Sequence, residues 1–252
     1  MTRWYCGCAA LAVAIAGSCA LPRATADEAE DKAVKFVESF PGLVTRDEKK
    51  TGKPVVEVYL SDTKVTDAEL KHLVAFKSLT ILRLSNTAVT GTGLKALAPV
   101  ANLTELEMVG AAVTDAGLKE VAAFKNLTAL ALGQTKVTDA GLKELGKLTK
   151  ISKLFLNETA VTDAGLKELA AVKSLTHLAL PKTKVTDAGL KELAPLKNLT
   201  TLDLSETAVT DAGLKELAPL KGLATLYLDD TKVTEAGVNE LQKLLPKCKI
   251  NN

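Results

Sequence analysis

The sequence predicts an α/β solenoid, a horseshoe with a parallel β-sheet on its concave face and short helices on its convex face. Two observations predict it. The valine of VTDAGLKELA (161–170) recurs at Val65, Val89, Val113, Val137, Val161, Val185, Val209 and Val233, always 24 residues apart and without insertion. A fixed period of about 20–50 residues marks a stacked-repeat architecture. Each block also changes period halfway. In LTTLDL (199–204) the leucines stand at positions 1, 4 and 6 of the repeat, and the last two alternate with an outward residue, as in a short strand. The following TDAGLKEL puts apolar groups at positions 16, 19 and 22, which is helical spacing. One such unit buries too little apolar surface to offset the ordering of its own chain, so neighbours must stack.

Taken from the N-terminus, residues 1–26 read as a Sec-type signal peptide. Arg3 supplies a positive start, Cys6–Ala20 is uncharged and apolar, and Ala24-Thr25-Ala26 precedes Asp27 as an A-x-A cleavage site. A single membrane anchor fits less well, because the uncharged run from Trp4 to Leu21 is only marginally long enough to span a bilayer. A competing reading takes Ala16-Gly17-Ser18-Cys19 as a lipobox, which would leave a lipid anchor at Cys19. Residues 27–54 read as an N-terminal cap. Ala29, Ala33, Val37 and Phe40 form an apolar stripe on a helix from about Asp27 to Ser39, stopped by Pro41-Gly42. Two extended runs then flank a turn at Thr51-Gly52, the first placed to cover the open edge of the sheet.

Eight repeats fill 55–246 with the consensus LTxLxLxxTxVTDAGLKELAxLKN. Within them Thr162 is an N-cap candidate, Asp163 suits the positive end of the helix dipole, and Val161 with Leu166 forms a hydrophobic staple. Thr66 and Glu69 complete a capping box in the first repeat. Pro99, Pro195 and Pro219 stop their helices, and Gly at position 15 of repeats 2 to 8 lets adjacent helices approach. Residues 247–252 form the C-terminal cap, with Cys248 as a small cap residue.

The pattern L-x-x-L-x-L-x-x-T-x-V resembles the leucine-rich repeat signature, with Thr where that family usually has Asn or Cys. The VTDAGL half resembles the cysteine-containing subclass found in F-box leucine-rich proteins and the secreted bacterial proteins built of VTDAGL repeats. The resemblance implies a ladder in which the position 9 side chains, Thr63, Thr87, Thr135, Thr159, Thr183, Thr207 and Thr231, bond the backbone of neighbouring coils, with a break at Ala111. For function it implies only protein recognition on the concave sheet. A ubiquitin-ligase role is disfavoured, since the chain reads as exported and shows no F-box segment ahead of the repeats.

Composition narrows the function further. Loss of 1–26 removes Arg3 and Arg23 and no acid, so the remaining chain has 30 basic and 30 acidic residues. With few aromatics and no basic stripe, nucleic acid is not the expected partner. Cys248 alone remains after cleavage, so no intramolecular disulfide forms. His72, His177 and one cysteine cannot build a zinc site, and no cofactor motif appears. His177, Asp203 and Ser205 suggest a hydrolase cluster, yet no nucleophile elbow or oxyanion turn accompanies them.

The informative positions are the departures from consensus on the outward strand positions 3, 5, 7 and 8. Tyr59, Arg83, Glu107, Val109, Ala131, Lys153, Phe155, His177, Asp203 and Tyr227 form the expected protein-binding face. Around the middle, Val109, Ala129, Ala131, Phe155 and Ala179 make an apolar floor beside Lys153 and His177. Unconstrained drift on a solvent-facing sheet is the competing reading. The sequence therefore predicts an exported, monomeric, non-enzymatic scaffold of the periplasm or exterior that holds a protein ligand. A lipid-anchored spacer protein and an enzyme accessory subunit are the alternatives.

Overall fold

A computed structural model of the chain describes residues 25–252. Residues 1–24 of the expected leader, with the proposed lipidation site at Cys19, lie outside the described residues, and α1 begins at Thr25, within the expected cleavage motif. After helix α1 (Thr25–Glu38) come ten strands in one sheet: β1 (Leu43–Arg46), β2 (Val55–Tyr59), β3 (Ile81–Arg83), β4 (Glu105–Glu107), β5 (Ala129–Ala131), β6 (Lys153–Phe155), β7 (His177–Ala179), β8 (Thr201–Asp203), β9 (Thr225–Tyr227) and β10 (Lys249–Asn251). Sheet order equals chain order. Strand β1 is antiparallel to β2, and every later pairing is parallel. The sheet is an α/β solenoid.

The apolar set of each repeat is interior. In the fifth, Ile151, Leu154, Leu156, Val161, Leu166, Leu169 and Val172 are all buried, and the same positions form one core through the first seven repeats; in the eighth, Val238 is half-buried and Leu244 exposed. The first turn is anchored by α1. Glu30 Oε1 accepts from Arg46 Nη1 at 2.8 Å and from the Val55 amide at 3.1 Å, which ties the helix to β1 and to the start of β2. His72, expected at the surface, is exposed but stacks on Phe36 of α1 with ring centroids 4.4 Å apart.

The convex side varies with proline. Helices α2 (Asp115–Val121), α3 (Asp139–Leu145) and α4 (Asp163–Leu169) are continuous α-helices in repeats without proline at position 21. Where Pro195 or Pro219 stands there, α5 (Asp187–Leu190) and α6 (Asp211–Leu214) tighten into 3₁₀ turns at Lys191–Leu193 and Lys215–Leu217. Proline has no amide to donate and crowds the carbonyl four residues back, so the turn closes through Ala194 N to Lys191 O instead, at 3.2 Å. The first two repeats use 3₁₀ turns throughout, Leu70–Ala75 and Thr92–Leu97. The Thr66–Glu69 box forms, with the Thr66 amide donating to Glu69 Oε2 at 2.9 Å, but the turn it precedes starts only at Leu70. The last helix, α7 (Glu235–Leu244), is the longest of the repeats.

The position 9 ladder is not between coils. Each threonine hydroxyl donates to the carbonyl three residues back in its own coil, as Thr159 does to Leu156 at 2.7 Å, and so braces the turn after the strand. Side-chain bonds between coils come from other rows: the position 24 Asn102, Asn126 and Asn198 donate to carbonyls of the preceding coil, and two further rows are more regular. At position 2, Thr104, Thr128, Ser152, Thr176 and Thr200 each donate to the carbonyl 24 residues earlier, at 3.0–3.1 Å. At position 13 the aspartate clamps the next coil: Asp139 Oδ1 accepts the Thr162 amide at 2.8 Å and Oδ2 accepts its hydroxyl at 2.7 Å. Asp115, Asp163, Asp187 and Asp211 repeat the clamp. Gly91 stands where repeat 2 would have its aspartate, so Thr114 meets only the Thr90 carbonyl there.

This clamp explains the glycine of DAGL. A Cβ on Gly213 would lie 2.3 Å from Asp187 Oδ1 and 2.9 Å from its Cα. Gly213→Ala should therefore cost about 2–4 kcal/mol, from overpacking plus loss of the clamp. Gly146→Ala is the control. Its Cβ would meet nothing nearer than 3.5 Å in a right-handed helical conformation, so it should stabilise by about 0.4–1 kcal/mol. Chemical denaturation of the two variants checks both signs.

The clamp also contributes to the acid response, through Asp67 and Asp211. Burial pushes the Asp67 carboxyl up, but the Thr90 hydroxyl and the Gly93, Thr90 and Gly91 amides outweigh it and hold the group below its ordinary value. The Thr234 amide and hydroxyl hold Asp211 low in the same way. A depressed folded-state value gives stability that is present above the unfolded value of about 3.9 and lost as pH falls through the folded one. The melting temperature should stay level from about pH 7 to 5 and fall below about pH 4. Asp67→Asn should lower it at neutral pH and flatten the acid limb. A wild-type melting temperature that holds to about pH 2.5 would deny the clamp a role.

Candidate functional site

The strand positions that vary are brought into rows by exact 24-residue register. Across the middle of the concave face the order is Glu107, Ala131, Phe155, Ala179, Asp203, each directly beside the next. The parallel row beside it runs Glu105, Ala129, Lys153, His177, Thr201. In a short strand with Leu154 buried in the core, the residues on either side of it must face out, and Phe155 remains 37% exposed.

Because alanines flank it, Phe155 stands between two depressions. One, of about 240 Å³, is lined by Arg83, Glu107, Ala129, Ala131 and Phe155 among others. The other, of about 330 Å³, lies between Phe155, Ala179, Pro181, Lys182, Asp203 and Glu206. Val109, expected in the same apolar floor, is half-buried and lines neither.

The polar residues on the flanks have assigned partners. Arg83 Nε donates to Glu107 Oε2 at 3.0 Å, and its guanidinium lies 4.8 Å over the Tyr59 ring. Tyr59 donates to Glu57; that carboxylate, accepting the proton, holds the phenol above its ordinary range. Arg83 Nη1 is sheltered and has no hydrogen-bond partner among the described residues. Lys182 Nζ is 3.4 Å from Glu206 Oε1. Tyr227 is exposed near the far end of the row.

The hydrolase cluster does not assemble. His177 Nδ1 lies 2.8 Å from Oγ1 of Thr176, the residue just before its strand. Asp203 Oδ1 instead accepts the Ser205 hydroxyl at 2.6 Å and the Ser205 amide at 2.9 Å. Such a two-residue turn orients Asp203 and leaves Ser205 without a base. Cys248 is buried at the C-terminal end, and burial pushes its thiol up, away from the reactive thiolate. Among the described residues, no three or more His, Cys, Asp or Glu side chains are grouped to hold a metal ion, and no helix is long and apolar enough to cross a membrane.

Acids such as Glu206 and Asp229-Asp230 are visible in the sequence, but not that the backbone lines the position 8 side chains up along one rim. Position 8 follows the strand in a left-handed turn, with φ of 55–60° at Asp62, Asn86, Gln134, Glu158, Lys182, Glu206 and Asp230. That backbone is costly for most L-residues. It is cheapest at Gly110, and elsewhere it carries a mostly acidic series along one lip of the sheet.

The model of a family described as Leucine Rich repeat matches residues 77–98, 101–122, 125–146 and 196–218. Among solved structures, internalin C2 from Listeria monocytogenes is similar over 88% of this chain and 92% of its own, at 23% identity and a TM-score of 0.66. Internalin F from the same organism aligns over 77% of this chain and 72% of its own, at 16% identity and a TM-score of 0.44. No curated protein matches. The internalin C2 match agrees with the observed solenoid at the level of fold.

Proposed function

We propose that this chain, a leucine-rich repeat protein, is an exported, non-enzymatic scaffold that holds a protein ligand on the concave sheet around Phe155. One observation carries the reading. Consensus positions account for the fold, yet a large aromatic stands exposed in register between Ala131 and Ala179, with a depression on either side. Aromatic residues, phenylalanine among them, are enriched at protein interfaces, where buried aromatics act as anchors. The leader sequence supports export to the periplasm or exterior, and the local bonding of His177 and Asp203 supports a binding role.

A photo-crosslinking residue at position 155 tests the site in the native envelope. Adducts to a discrete protein are expected there and not from position 168, on the helical side. Adducts from 168 alone would move the functional surface to the convex face. N-terminal sequencing of exported material tests the route: a start at Asp27 supports signal cleavage, and a lipid-modified Cys19 replaces it with an anchored form.

A further inference from the structure

The concave face is charged out of proportion to the chain. Positions 3, 5, 7 and 8 of the eight repeats carry nine carboxylates and three cations, Arg83, Lys153 and Lys182. Of the 32 basic and 30 acidic residues in the full chain, the remainder then holds 29 basic and 21 acidic. These repeat positions thus carry a net charge of −6 and the rest of the full chain, the expected leader included, +8. Two of the three cations already face a carboxylate, Arg83 with Glu107 and Lys182 with Glu206. Asp203 uses Oδ1 for both of its bonds to Ser205.

The charge is also placed. Glu107 and Asp203 stand two strands to either side of Phe155 in the same row. At about 4.8 Å per strand they are about 19 Å apart along the row. An extended chain rises about 3.3 Å per residue, so six residues span that distance, and residues i, i+2, i+4 and i+6 share one face. The inner pair would stand over Ala131 and Ala179, in the two depressions that Phe155 separates.

Resting on the concave-face reading above, the geometry points to one class of occupant: an extended basic polypeptide segment of pattern cation–x–apolar–x–apolar–x–cation, lying across the strands. Its apolar side chains straddle the Phe155 ring; one terminal cation meets Asp203, and the other meets Glu107, which it shares with Arg83 Nε and the Ser85 hydroxyl. The field of the acidic lip draws such a segment in and rejects acidic ones.

The test uses capped, fluorophore-labelled synthetic peptides. The probe is Lys-Ser-Leu-Ser-Leu-Ser-Lys. One comparison peptide has both lysines changed to glutamate, and another has the leucines moved to the odd-offset positions. Fluorescence anisotropy with the full mature chain should show binding of the probe at least tenfold tighter than of either comparison. Phe155→Ala and Asp203→Asn should each weaken the probe about fivefold or more, and raising NaCl from about 50 to 300 mM should weaken it about tenfold. Equal binding of the glutamate peptide, still dependent on Phe155, would overturn the basic class while leaving the concave site in place. Probe binding indifferent to both substitutions would overturn the concave site as well. No probe binding up to about 1 mM overturns this class, whatever position 155 crosslinks to. A protein that sediments as a dimer, broken by Asp203→Asn and unable to take the probe, would assign the face to the basic surface of a second copy and overturn the proposal.

Discussion

Deletion of residues 163–174 should abolish cooperative unfolding, whereas deletion of 163–186, twice as long, should leave a shorter solenoid that folds. The longer deletion joins Thr162 to Asp187, position 12 to position 13, as at every natural junction. Thr162 keeps its clamp from Asp139, and Asp187 keeps its hold on Thr210. Only one helix and one strand are gone, and the flanking cores offer matching faces. The shorter deletion joins Thr162 to Leu175, so a strand arrives where a helix must stack. Asp163 disappears, Thr186 loses both its bonds, and Gly189 no longer faces the carboxylate it was shaped for. Because each coil is stabilised by its neighbours, such a fault divides the array rather than weakening it evenly. In guanidinium the 24-residue deletion should keep a single transition, with a denaturant slope lower by roughly a tenth as less surface is exposed. The 12-residue deletion should give a broad or absent transition. Equal melting of the two would contradict one-dimensional stacking.

The fold was legible in the sequence because the period never slips. With no insertion, positions 1, 4, 6, 11, 16, 19 and 22 fall on the core in the first seven coils, and Phe155 can be placed beside Ala131 and Ala179 before any coordinates exist. Polar partners were harder to read. Thr159 and Asp163 both recur every 24 residues, and periodicity alone does not say whether a side chain bonds its own coil or the next. The resemblance put the inter-coil bonds on the position 9 threonines, whereas Thr159 reaches only Leu156. Asp163 does stand in the first turn, where it suits its own helix dipole, but nothing in the period shows that its carboxylate also reaches forward to Thr186. The signal was present in the pairing of Thr at 12 with Asp at 13, and in its failure at Gly91.

The site was legible to a similar depth. Departures from consensus marked the concave rows, but not the depressions or the pairing of Arg83 with Glu107, which depend on side-chain reach. Val109 was placed with the apolar floor by its position alone, and the turn after β4 keeps it out of both depressions. The left-handed turn at position 8 has no residue preference strong enough to see in Gln134, Glu158 or Lys182, so the acids there are legible in the sequence but the turn that aligns them is not.

The concave-face claim is tested most directly by partner capture with Phe155→Arg and Glu168→Arg measured side by side. Phe155 faces solvent, so arginine there should cost little stability; it places a charge where an apolar contact forms. An unpaired charge buried at an interface costs about 2–5 kcal/mol, which is tens to thousands of fold in affinity. Glu168 lies on the helical side, and its reversal should leave capture unchanged. The account predicts capture lost by Phe155→Arg and kept by Glu168→Arg, with both variants melting near the parent. Capture kept by Phe155→Arg and lost by Glu168→Arg would contradict it.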